Sequence, residues 1–373
     1  MIRVGTNYFG YAQVRNFAGL PFSNTRFIKV FDHYKLLAFA KFKLFKKVDY
    51  GLVNRFGYAL PNKADVYHFF NAISRTRKPW VVTFETSLPR VRRDVIRGLE
   101  HLAGKHCKKV IALSLRAYEA QLHELRKHPQ FEAAIRSKLC VLQPSQKLLV
   151  KDISGKDFSG ELRFFFLGSA FYGKGGYELL LAFERLSARL PIRLIVVSKL
   201  EVQGFRDRNI TEEIKARTKS LLENSKWVDH HGYLPNQQAL ALMKSAHVGM
   251  LPSFGESYGY SLLEAMASGC AVVTINMSPF TEFVNETLGW LVDIPKIHLN
   301  GVEVVEIDNA KKYSEISSQL VDGLCDVIEK ICSDRDLLRE KSENALQRVR
   351  EFHDPHKRAM ELENIYKMAL EGA

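Results

Sequence analysis

The stretch PSFGESYGYSLLEAMASGCAVV, residues 252–273, decides the fold of the second half of this chain. The apolar run Val248–Leu251 precedes it, a short apolar helix is expected inside it, and it ends in the strand-like run Ala271–Ile275. The predicted order is therefore strand, tight loop, helix and strand. Two glutamates eight positions apart, Glu256 and Glu264, fall in the loop and one turn inside the helix.

The start of that helix is a candidate anion site. Backbone N–H groups at a helix N-terminus have no partner within the helix, and the helix dipole favours negative charge there. The N–H groups expected at this position belong to Tyr258, Gly259, Tyr260 and Ser261. Because Glu256 and Glu264 can face the same cleft, the pattern predicts a phosphate cradle beside two hydrogen-bond acceptors. That combination suits a sugar joined to a nucleotide.

A second motif, FLGSAFYGKGG at residues 166–176, lies about 80 residues earlier. A buried strand is expected to end at Gly168, and Lys174 falls just before the next helix. Glycines let the backbone approach a ligand closely, and a lysine there can neutralise phosphate charge. The spacing of a P-loop and the G-x-G-x-x-G pattern are both absent. Taken by itself this motif indicates only a turn, and its position before the two-glutamate motif favours the functional interpretation.

Length and composition favour two soluble domains. The chain has 373 residues, which is long for one core, and 46% of them are hydrophobic and 25% charged. Five cysteines without C-x-x-C spacing indicate unpaired thiols in a reducing compartment. The first residues lack the apolar segment of a signal peptide, and no apolar run approaches the roughly 18 residues of a membrane-spanning helix. The sequence therefore predicts a cytoplasmic protein.

The basic residues are concentrated in the first half of the chain. Up to Gln146 there are 26 Lys and Arg against 9 Asp and Glu, whereas the remainder has 28 against 32. All of the net charge of +13 therefore belongs to the first half. This asymmetry indicates an acidic partner for that half, which can be nucleic acid, an anionic membrane face or an acidic acceptor.

Strand-like runs alternate with amphipathic segments through both halves, which predicts parallel sheets covered by helices. The polar, turn-prone stretch Pro144–Ser159 separates the two series. We therefore expect a Rossmann-like acceptor-side domain at residues 1–146 and a Rossmann-like nucleotide-sugar-binding domain at 147–345. Residues 346–373 are expected to form a C-terminal helix that packs back across the hinge.

The second half resembles retaining glycosyltransferases of the GT-B fold, especially glycosyltransferase family 4, the group 1 glycosyltransferases. The resemblance runs from about Phe164 to Val292. It rests on the glycine–lysine loop, the HGYLP turn at residues 231–235, the E-x7-E motif and the TEFV segment at residues 281–284. It implies an α/β protein with two facing Rossmann-like domains, a cleft between them, and a C-terminal helix that returns to the first domain.

The resemblance also implies roles for individual residues. Lys174 would contact the diphosphate, Glu264 would hydrogen-bond the ribose, and Glu256 would lie against the donor sugar. The N–H groups of residues 258–261 would hold phosphate or sugar oxygens. Gly232 and Tyr233 would lie near the base.

The donor site departs from the family pattern at two positions. Ser169 follows Gly168 where many relatives have an arginine, which leaves Lys174 as the clear cation of that loop. Ser198 stands where many relatives have a glycine at a strand end. Both serines are included in the predicted donor site, and both make the identity of the donor harder to predict.

Three candidates lie in the first half, where the resemblance is weak. Glu85 follows the strand-like run Trp80–Phe84, where many relatives have a histidine near the sugar and acceptor. A carboxylate at a strand's carboxyl end can bind a sugar hydroxyl or assist a proton transfer, and a solvated loop residue is the alternative. Arg90 is predicted to meet donor phosphate or an acidic acceptor. Gly10 is predicted to permit close approach of a substrate.

The segment RFIKVFDHYKLLAFAKFKLFKK, residues 26–47, combines seven Lys and Arg with one Asp among many apolar residues. One interpretation is one or two core-packed helices with basic outer faces. The other is an interfacial segment on an anionic membrane, peripheral to the inner membrane face.

The function predicted is a retaining hexosyltransferase, with Glu256, Lys174 and Glu85 as its catalytic residues. Its donor would be a nucleotide-diphosphate sugar and its acceptor a glycan or lipid-linked molecule, in cell-surface polysaccharide or glycoconjugate synthesis. No cofactor and no metal are expected, because Lys174 and a helix N-terminus can meet the charge of the leaving group. The alternatives are another GT-B enzyme, such as a nucleotide-sugar epimerase or a phosphorylase, and a nucleic-acid-binding protein. The latter is disfavoured because the basic half has no nucleic-acid-binding signature.

Overall fold

The computed structural model describes residues 1–57, 62–91, 94–202 and 207–371, with the side chain of Tyr50 left aside. The chain divides into two compact units. The first unit comprises Met1–Ser145, Asn300–Val302 and His353–Ala373, and the second comprises Gln146–Leu299 and Glu303–Phe352.

Strands and helices alternate through residues 1–145. The strands are β1 (Ile2–Thr6), β2 (Thr25–Lys29), β3 (Arg55–Phe56), β4 (Val66–Phe70), β5 (Ile73–Ser74), β6 (Trp80–Phe84), β7 (Cys107–Ala112) and β8 (Leu139–Val141). The helices are α1 (Tyr11–Gln13), which continues as a π-helix (Val14–Ala18), α2 (His33–Phe45), α3 (Tyr50–Val53), α4 (Val95–Ala103), α5 (Leu115–Arg126) and α6 (Pro129–Arg136).

The same alternation continues in the rest of the chain. The strands are β9 (Leu162–Leu167), β10 (Ile192–Val197), β11 (Val228–His231), β12 (Val248–Leu251), β13 (Ala271–Ile275), β14 (Gly289–Val292), β15 (Ile297–Leu299) and β16 (Val302–Val304). The helices are α7 (Gly176–Leu186), α8 (Glu212–Asn224), α9 (Asn236–Ser245), α10 (Tyr260–Ala267), a 3-10 turn (Phe280–Glu282), α11 (Ala310–Ser333), α12 (Arg335–Phe352) and α13 (Pro355–Glu371).

In the first unit, six of the described strands form a parallel sheet in the order β2-β1-β4-β6-β7-β8, and β3 pairs with β5 separately. Strand β6 shows how the sheet is covered, because its side chains alternate between faces. Trp80, Val82 and Phe84 enter one apolar cluster, and Val81 enters another that contains Tyr366 of α13. The C-terminal helix thus completes the core of the first unit.

In the second unit, the sheet order is β11-β10-β9-β12-β13-β14 among the described strands, and every pairing is parallel. This is the doubly wound order of nucleotide-binding sheets, with the order reversing between β9 and β12. Strand β13 is buried along its whole length, as expected of a central strand covered on both faces.

The α/β class and the two parallel-sheet, Rossmann-like units predicted from the sequence are confirmed. The chain returns to the first unit at His353, later than the expected residue 346. The reason is that Leu338, Ala345 and Val349 of α12 are buried in the core of the second unit. In the part of the chain that the structure describes, no helix is both long enough and apolar enough to cross a membrane.

Candidate active site

The topology of the second sheet brings two loops together. In a doubly wound sheet, ligands bind beyond the carboxyl ends of the strands where the order reverses. The strands at that point are β9 and β12, which are direct neighbours. The loop after β9 carries Gly168 and Lys174, and the loop after β12 carries Glu256. Both motifs found in the sequence therefore meet at one edge of the sheet.

Lys174 and Glu256 form an ion pair between Nζ and Oε1 across these two loops. Their side chains are only 24% and 15% exposed, so water screens the pair less than it screens a surface pair. Gly168 makes this placement possible, because a Cβ there would overlap the aliphatic chain of Lys174. Gly168, directly after β9, thus leaves room for the lysine side chain in this position.

Backbone hydrogen bonds fix the two loops to each other. The N–H of Phe254 donates to the carbonyl of Gly173 at 3.1 Å. The buried hydroxyl of Ser253 lies 3.3 Å from the same carbonyl and 3.1 Å from that of Gly255. Gly175 has φ +73°, and a Cβ at this position would collide with the carbonyl of Pro252. The loops are therefore held in one arrangement before any ligand binds.

The N-terminus of α10 has a glycine in place of a capping side chain. Gly259 is its N-cap at φ +99°, and no side chain caps the helix. By contrast, α5, α8 and α11 are capped by Ser114, Thr211 and Asn309. The N–H groups of Leu262 and Leu263 donate to the carbonyl of Gly259, and the dipole of α10 favours an anion at this end of the helix.

The residues around this N-terminus divide between the core and the accessible surface. Tyr258 is fully buried and stacks on Phe283 with ring centroids 4.8 Å apart, which anchors the loop. Tyr260, Ser261 and Glu264 are half-buried. Because Tyr260 and Glu264 are four residues apart, they share one face of the helix. Glu264 therefore lies on the accessible face of α10, together with the first turn.

The remaining donor candidates follow the neighbouring strands β9, β10 and β11. Ser169 is exposed, and its carbonyl accepts from the N–H of Glu201 at 3.0 Å. Ser198 is buried, and its hydroxyl accepts from the N–H of Leu200 at 3.1 Å. The serine that replaces a glycine here therefore stabilises a local turn.

Gly232 and Tyr233 lie in open surroundings after β11. A Cβ on Gly232 would meet nothing within 4 Å. Tyr233 is 71% exposed, and the Lys199 ammonium lies 5.1 Å from its ring centroid. An exposed aromatic ring at a strand's carboxyl end is able to stack on a flat ligand group.

In the first unit, Glu85 is part of a defined network and is not a solvated loop residue. Arg90 Nη1 donates to Glu85 Oε1 at 2.7 Å, and Asn71 Nδ2 donates to the same oxygen at 3.0 Å. Asn71 Oδ1 in turn accepts from the N–H of Glu85 at 3.2 Å. Asn71 follows β4 with φ +56°, a conformation that asparagine tolerates. Sequence reasoning missed Asn71, although an asparagine directly after a buried strand was a usable signal.

Gly10 is the N-cap of α1, and a Cβ there would overlap the ring of Tyr8. The Lys35 ammonium lies 4.2 Å from the centroid of that ring. Burial lowers the pKa of Lys35 to about 8, and the nearby carboxylate of Asp32 opposes the change. Burial also raises the pKa of Asp32, which accepts from Asn7 Nδ2 at 2.6 Å. Sequence reasoning missed this polar group beyond β1 because its members are distant in sequence.

Comparisons with known proteins find similarity to glycosyltransferases. The family described as "Glycosyl transferases group 1" matches residues 152–300, which hold β9 to β14 and both loops. An uncharacterized glycosyltransferase of Methanocaldococcus jannaschii is 25% identical over 206 residues, 55% of this chain. An O-antigen chain mannosyltransferase B of Escherichia coli is 35% identical over 92 residues, 25% of this chain. The chain spans 45% and 24% of the length of these two relatives.

A glycosyltransferase of known structure from Rickettsia africae superimposes with a TM-score of 0.57. The superposition covers 94% of this chain and 86% of the other at 16% sequence identity, so it shows the fold alone. Residues 152–300 are therefore similar to the glycosyl transferases group 1 family, and the chain as a whole has a two-unit, parallel-sheet GT-B fold like that of the Rickettsia africae protein.

Proposed function

We propose that this protein is a retaining glycosyltransferase of family 4 type. It would transfer a hexosyl unit from a nucleotide-diphosphate sugar to a glycan or lipid-linked acceptor, in cell-surface polysaccharide or glycoconjugate synthesis. The observation that carries the proposal is the pairing of Lys174 with Glu256 at the edge where the order of the second sheet reverses. The likeness to a mannosyltransferase supports a hexose as the transferred sugar.

In the proposed donor complex, the diphosphate binds between Lys174 and the N-terminus of α10. The phosphate oxygens then compete with Glu256 for the Lys174 ammonium, and the Glu256 carboxylate turns to the hydroxyls of the donor sugar. Glu264, on the accessible face of α10, accepts hydrogen bonds from the ribose. Tyr233 offers its exposed ring to the base.

In the proposed reaction, the second unit stabilises the leaving group. When the bond between the anomeric carbon and the diphosphate oxygen breaks, negative charge builds on the diphosphate. One cation and a row of backbone N–H groups are fixed near that charge before reaction, which is the arrangement that lowers a barrier most. We propose that these groups are sufficient without a divalent metal.

In the first unit, we assign Glu85 and Arg90 to binding of the acceptor. Two hydrogen bonds to Oε1 fix the Glu85 carboxylate, one from Arg90 at 2.7 Å and one from Asn71 at 3.0 Å. A carboxylate held in this way can orient a sugar hydroxyl or accept its proton. The basic excess of this unit suits an acceptor that carries phosphate or another acidic group.

The experiment that tests the proposal is a donor screen. Binding of UDP-, GDP- and ADP-hexoses is measured by thermal shift, and nucleotide release is measured with and without EDTA. We expect one nucleotide sugar to raise the melting temperature and to be consumed, with Lys174→Ala losing both effects and EDTA changing neither. The surface pair Lys127–Glu124 provides a matched control, since it is an ion pair at 2.9 Å in the first unit. Conversion of the nucleotide sugar without an acceptor into another nucleotide sugar would instead show an epimerase.

Retention of the anomeric configuration is tested by a separate measurement. The anomeric configuration of the transferred sugar is compared with that of the donor by NMR of the product. Retention is expected from the family resemblance, and inversion would remove the family 4 assignment while leaving the donor site intact.

A further inference from the structure

Helix α2 contributes almost nothing to the core of the first unit. Of its thirteen residues only Ala38 is buried. The apolar side chains of the helix and its flanks that are exposed are Phe31, Leu36, Leu37, Phe39, Phe42, Leu44, Phe45 and Val48. Leu44 and Phe45 are 76% and 65% exposed. Of the two interpretations, that of core-packed helices with basic outer faces is therefore wrong for α2, and residues 26–29 of the segment belong to strand β2.

These exposed apolar residues, together with Lys41, Lys43, Lys46 and Lys47, are called the α2 surface below. Ala38 marks the buried side of the helix, and the opposite side carries the exposed side chains of Leu36, Leu44 and Lys43. In water, a helix of this length gains most of its stability from packing, and most apolar side chains of α2 lie outside the core. A contiguous apolar patch of this kind on a soluble protein marks an interaction site.

The charges of the α2 surface indicate what covers it. Lys41 is paired with Asp49 at 2.7 Å. Within the described residues, no carboxylate is paired with Lys43, Lys46 or Lys47. The Lys43 ammonium lies 5.0 Å from the centroid of the exposed Phe39 ring. A lipid bilayer has anionic headgroups outside an apolar interior. Lysines beside exposed apolar side chains can reach the headgroups while the apolar side chains enter the interior.

The cationic character extends beyond the helix. Arg75 Nη1 donates to the hydroxyl of Tyr34 of α2 at 2.6 Å. Arg75 is also one of three arginines that line a nearby cavity. The other two are Arg55 and Arg97, and Asp94 is the one carboxylate that lines the cavity among the described residues. Burial and then Arg75 and Arg97 lower the pKa of His101 in the same cavity, as a positive potential requires.

A second copy of this chain is a poorer occupant. A two-fold interface brings the same patch of both subunits together, so the lysines of one α2 surface would meet those of the other. Repulsion between them would oppose the gain from apolar burial. An anionic surface instead satisfies the lysines and the apolar side chains at once.

We propose that the α2 surface docks the protein on a membrane that contains anionic phospholipid, with Leu44, Phe45 and their neighbours in the acyl-chain boundary and the lysines at the headgroups. Binding is peripheral and reversible. It is independent of the donor site, which lies in the other unit.

The test is flotation with vesicles of phosphatidylcholine alone and of phosphatidylcholine mixed with phosphatidylglycerol. We expect binding to the mixed vesicles that falls when the salt concentration rises from 0.1 M to 1 M, because screening shortens from about 10 Å to about 3 Å. Lys43→Gln with Lys47→Gln should weaken binding by about 30-fold, at about fivefold per lysine. Leu44→Ser with Phe45→Ser should weaken it by at least about 30-fold.

Matched controls are available in the same unit. Lys63→Gln with Lys105→Gln removes two exposed cations, and Met360→Ser with Met368→Ser removes two exposed apolar side chains of α13. Both control pairs should bind vesicles as the unchanged protein does. All variants should keep the circular dichroism spectrum and nucleotide binding of the unchanged protein, which separates failed docking from misfolding and from failure of the donor site.

Three outcomes overturn the proposal. They are no binding to either vesicle, equal binding to both, or equal losses in the α2 and control variants. A fourth outcome assigns the surface to a second copy of the chain: light scattering shows a dimer that Leu44→Ser with Phe45→Ser dissociates, while no variant binds vesicles.

Discussion

Lys174 and Glu256 are 82 positions apart in the chain, yet their side chains form an ion pair in a half-buried position. Each is carried by a loop that follows a central strand of the same sheet, and hydrogen bonds hold the two loops together. A salt bridge in such a position adds little to the free energy of unfolding compared with an apolar contact, so stability alone does not account for this pair. The pair instead keeps a cation and a carboxylate at the place where a donor diphosphate and its sugar would bind.

This relationship predicts opposite effects of the two partners on nucleotide binding. Lys174→Ala should weaken binding of the nucleoside diphosphate by about 10- to 100-fold, the range for one hydrogen bond to a charged group. Glu256→Ala should leave that binding unchanged or tighten it, because it removes the carboxylate that competes for the lysine. Glu256→Ala should still lower turnover by about 100-fold or more, as expected for a group that acts on the reacting sugar. Calorimetry with the diphosphate and turnover with the full donor measure the two effects.

The control for this prediction is the surface pair Lys127–Glu124 of the first unit, whose alanine variants should change neither quantity. If Glu256→Ala weakened diphosphate binding as much as Lys174→Ala does, the carboxylate would be a structural partner of the lysine. Its assignment to the donor sugar would then be withdrawn.

The glycines of the two loops predict a selective loss of stability. Gly175→Ala places a Cβ against the Pro252 carbonyl at φ +73°, and Gly259→Ala places one 2.8 Å from the ring of Phe280 at φ +99°. Each change should lower the free energy of unfolding by about 1–3 kcal/mol, the usual cost of a strained backbone position. Gly155→Ala is the matched control, because a Cβ there meets nothing within 4 Å. Urea unfolding measures the free energy of unfolding of the three variants. An equally large decrease in Gly155→Ala would contradict the prediction.

The network around Glu85 predicts an effect confined to the acceptor. Glu85→Gln keeps the shape of the side chain and removes the charge that holds Arg90 at 2.7 Å. We expect a rise in the KM for the acceptor or a fall in kcat of about 10-fold or more, with donor affinity unchanged. Glu124→Gln, which breaks the surface pair with Lys127 at 2.9 Å, is the control and should change neither the acceptor KM nor kcat. A loss of donor affinity in Glu85→Gln would remove this residue from the acceptor side.

The sequence was sufficient to predict the second unit because its signals are local. A glycine that ends a strand, a lysine before a helix and two glutamates eight positions apart each report on a few neighbouring residues. The rule that parallel strands present their carboxyl ends at one edge then brings Lys174 and Glu256 together. The family resemblance added the roles of these residues, which spacing alone does not contain.

The parts that could not be predicted depend on distant contacts. Asn71 meets Glu85 only because β4 and β6 are neighbours in the sheet. The return of the chain at His353 depends on α12 being buried against the second core. The composition of residues 26–47 fits a buried helix as well as an interfacial one, and only the exposure of α2 distinguishes them.

His68 provides a last prediction, because it joins β4 to α13 inside the first core. The ring is fully buried, with Nδ1 2.7 Å from the Tyr366 hydroxyl and Nε2 2.8 Å from that of Thr83. Burial lowers the pKa of His68 from 6.5 to about 3. The unfolded chain therefore takes up this proton near pH 6.5, while the folded chain resists it. The stability linked to His68 is complete above pH 6.5 and is lost as the pH falls from 6.5 towards 3.

The expected size of this effect is at most about 1.4 kcal/mol per pH unit for a single group in that window. His68→Gln should cost about 1–3 kcal/mol at pH 7 through weakened hydrogen bonds and packing. It should also flatten the dependence of the free energy of unfolding on pH below 6.5, because glutamine does not titrate. Urea unfolding from pH 8 to pH 4 measures both quantities, with the exposed His356 changed to Gln as the control. If the curves of His68→Gln and the unchanged protein ran parallel below pH 6.5, His68 would not be the group that destabilises the first unit in acid.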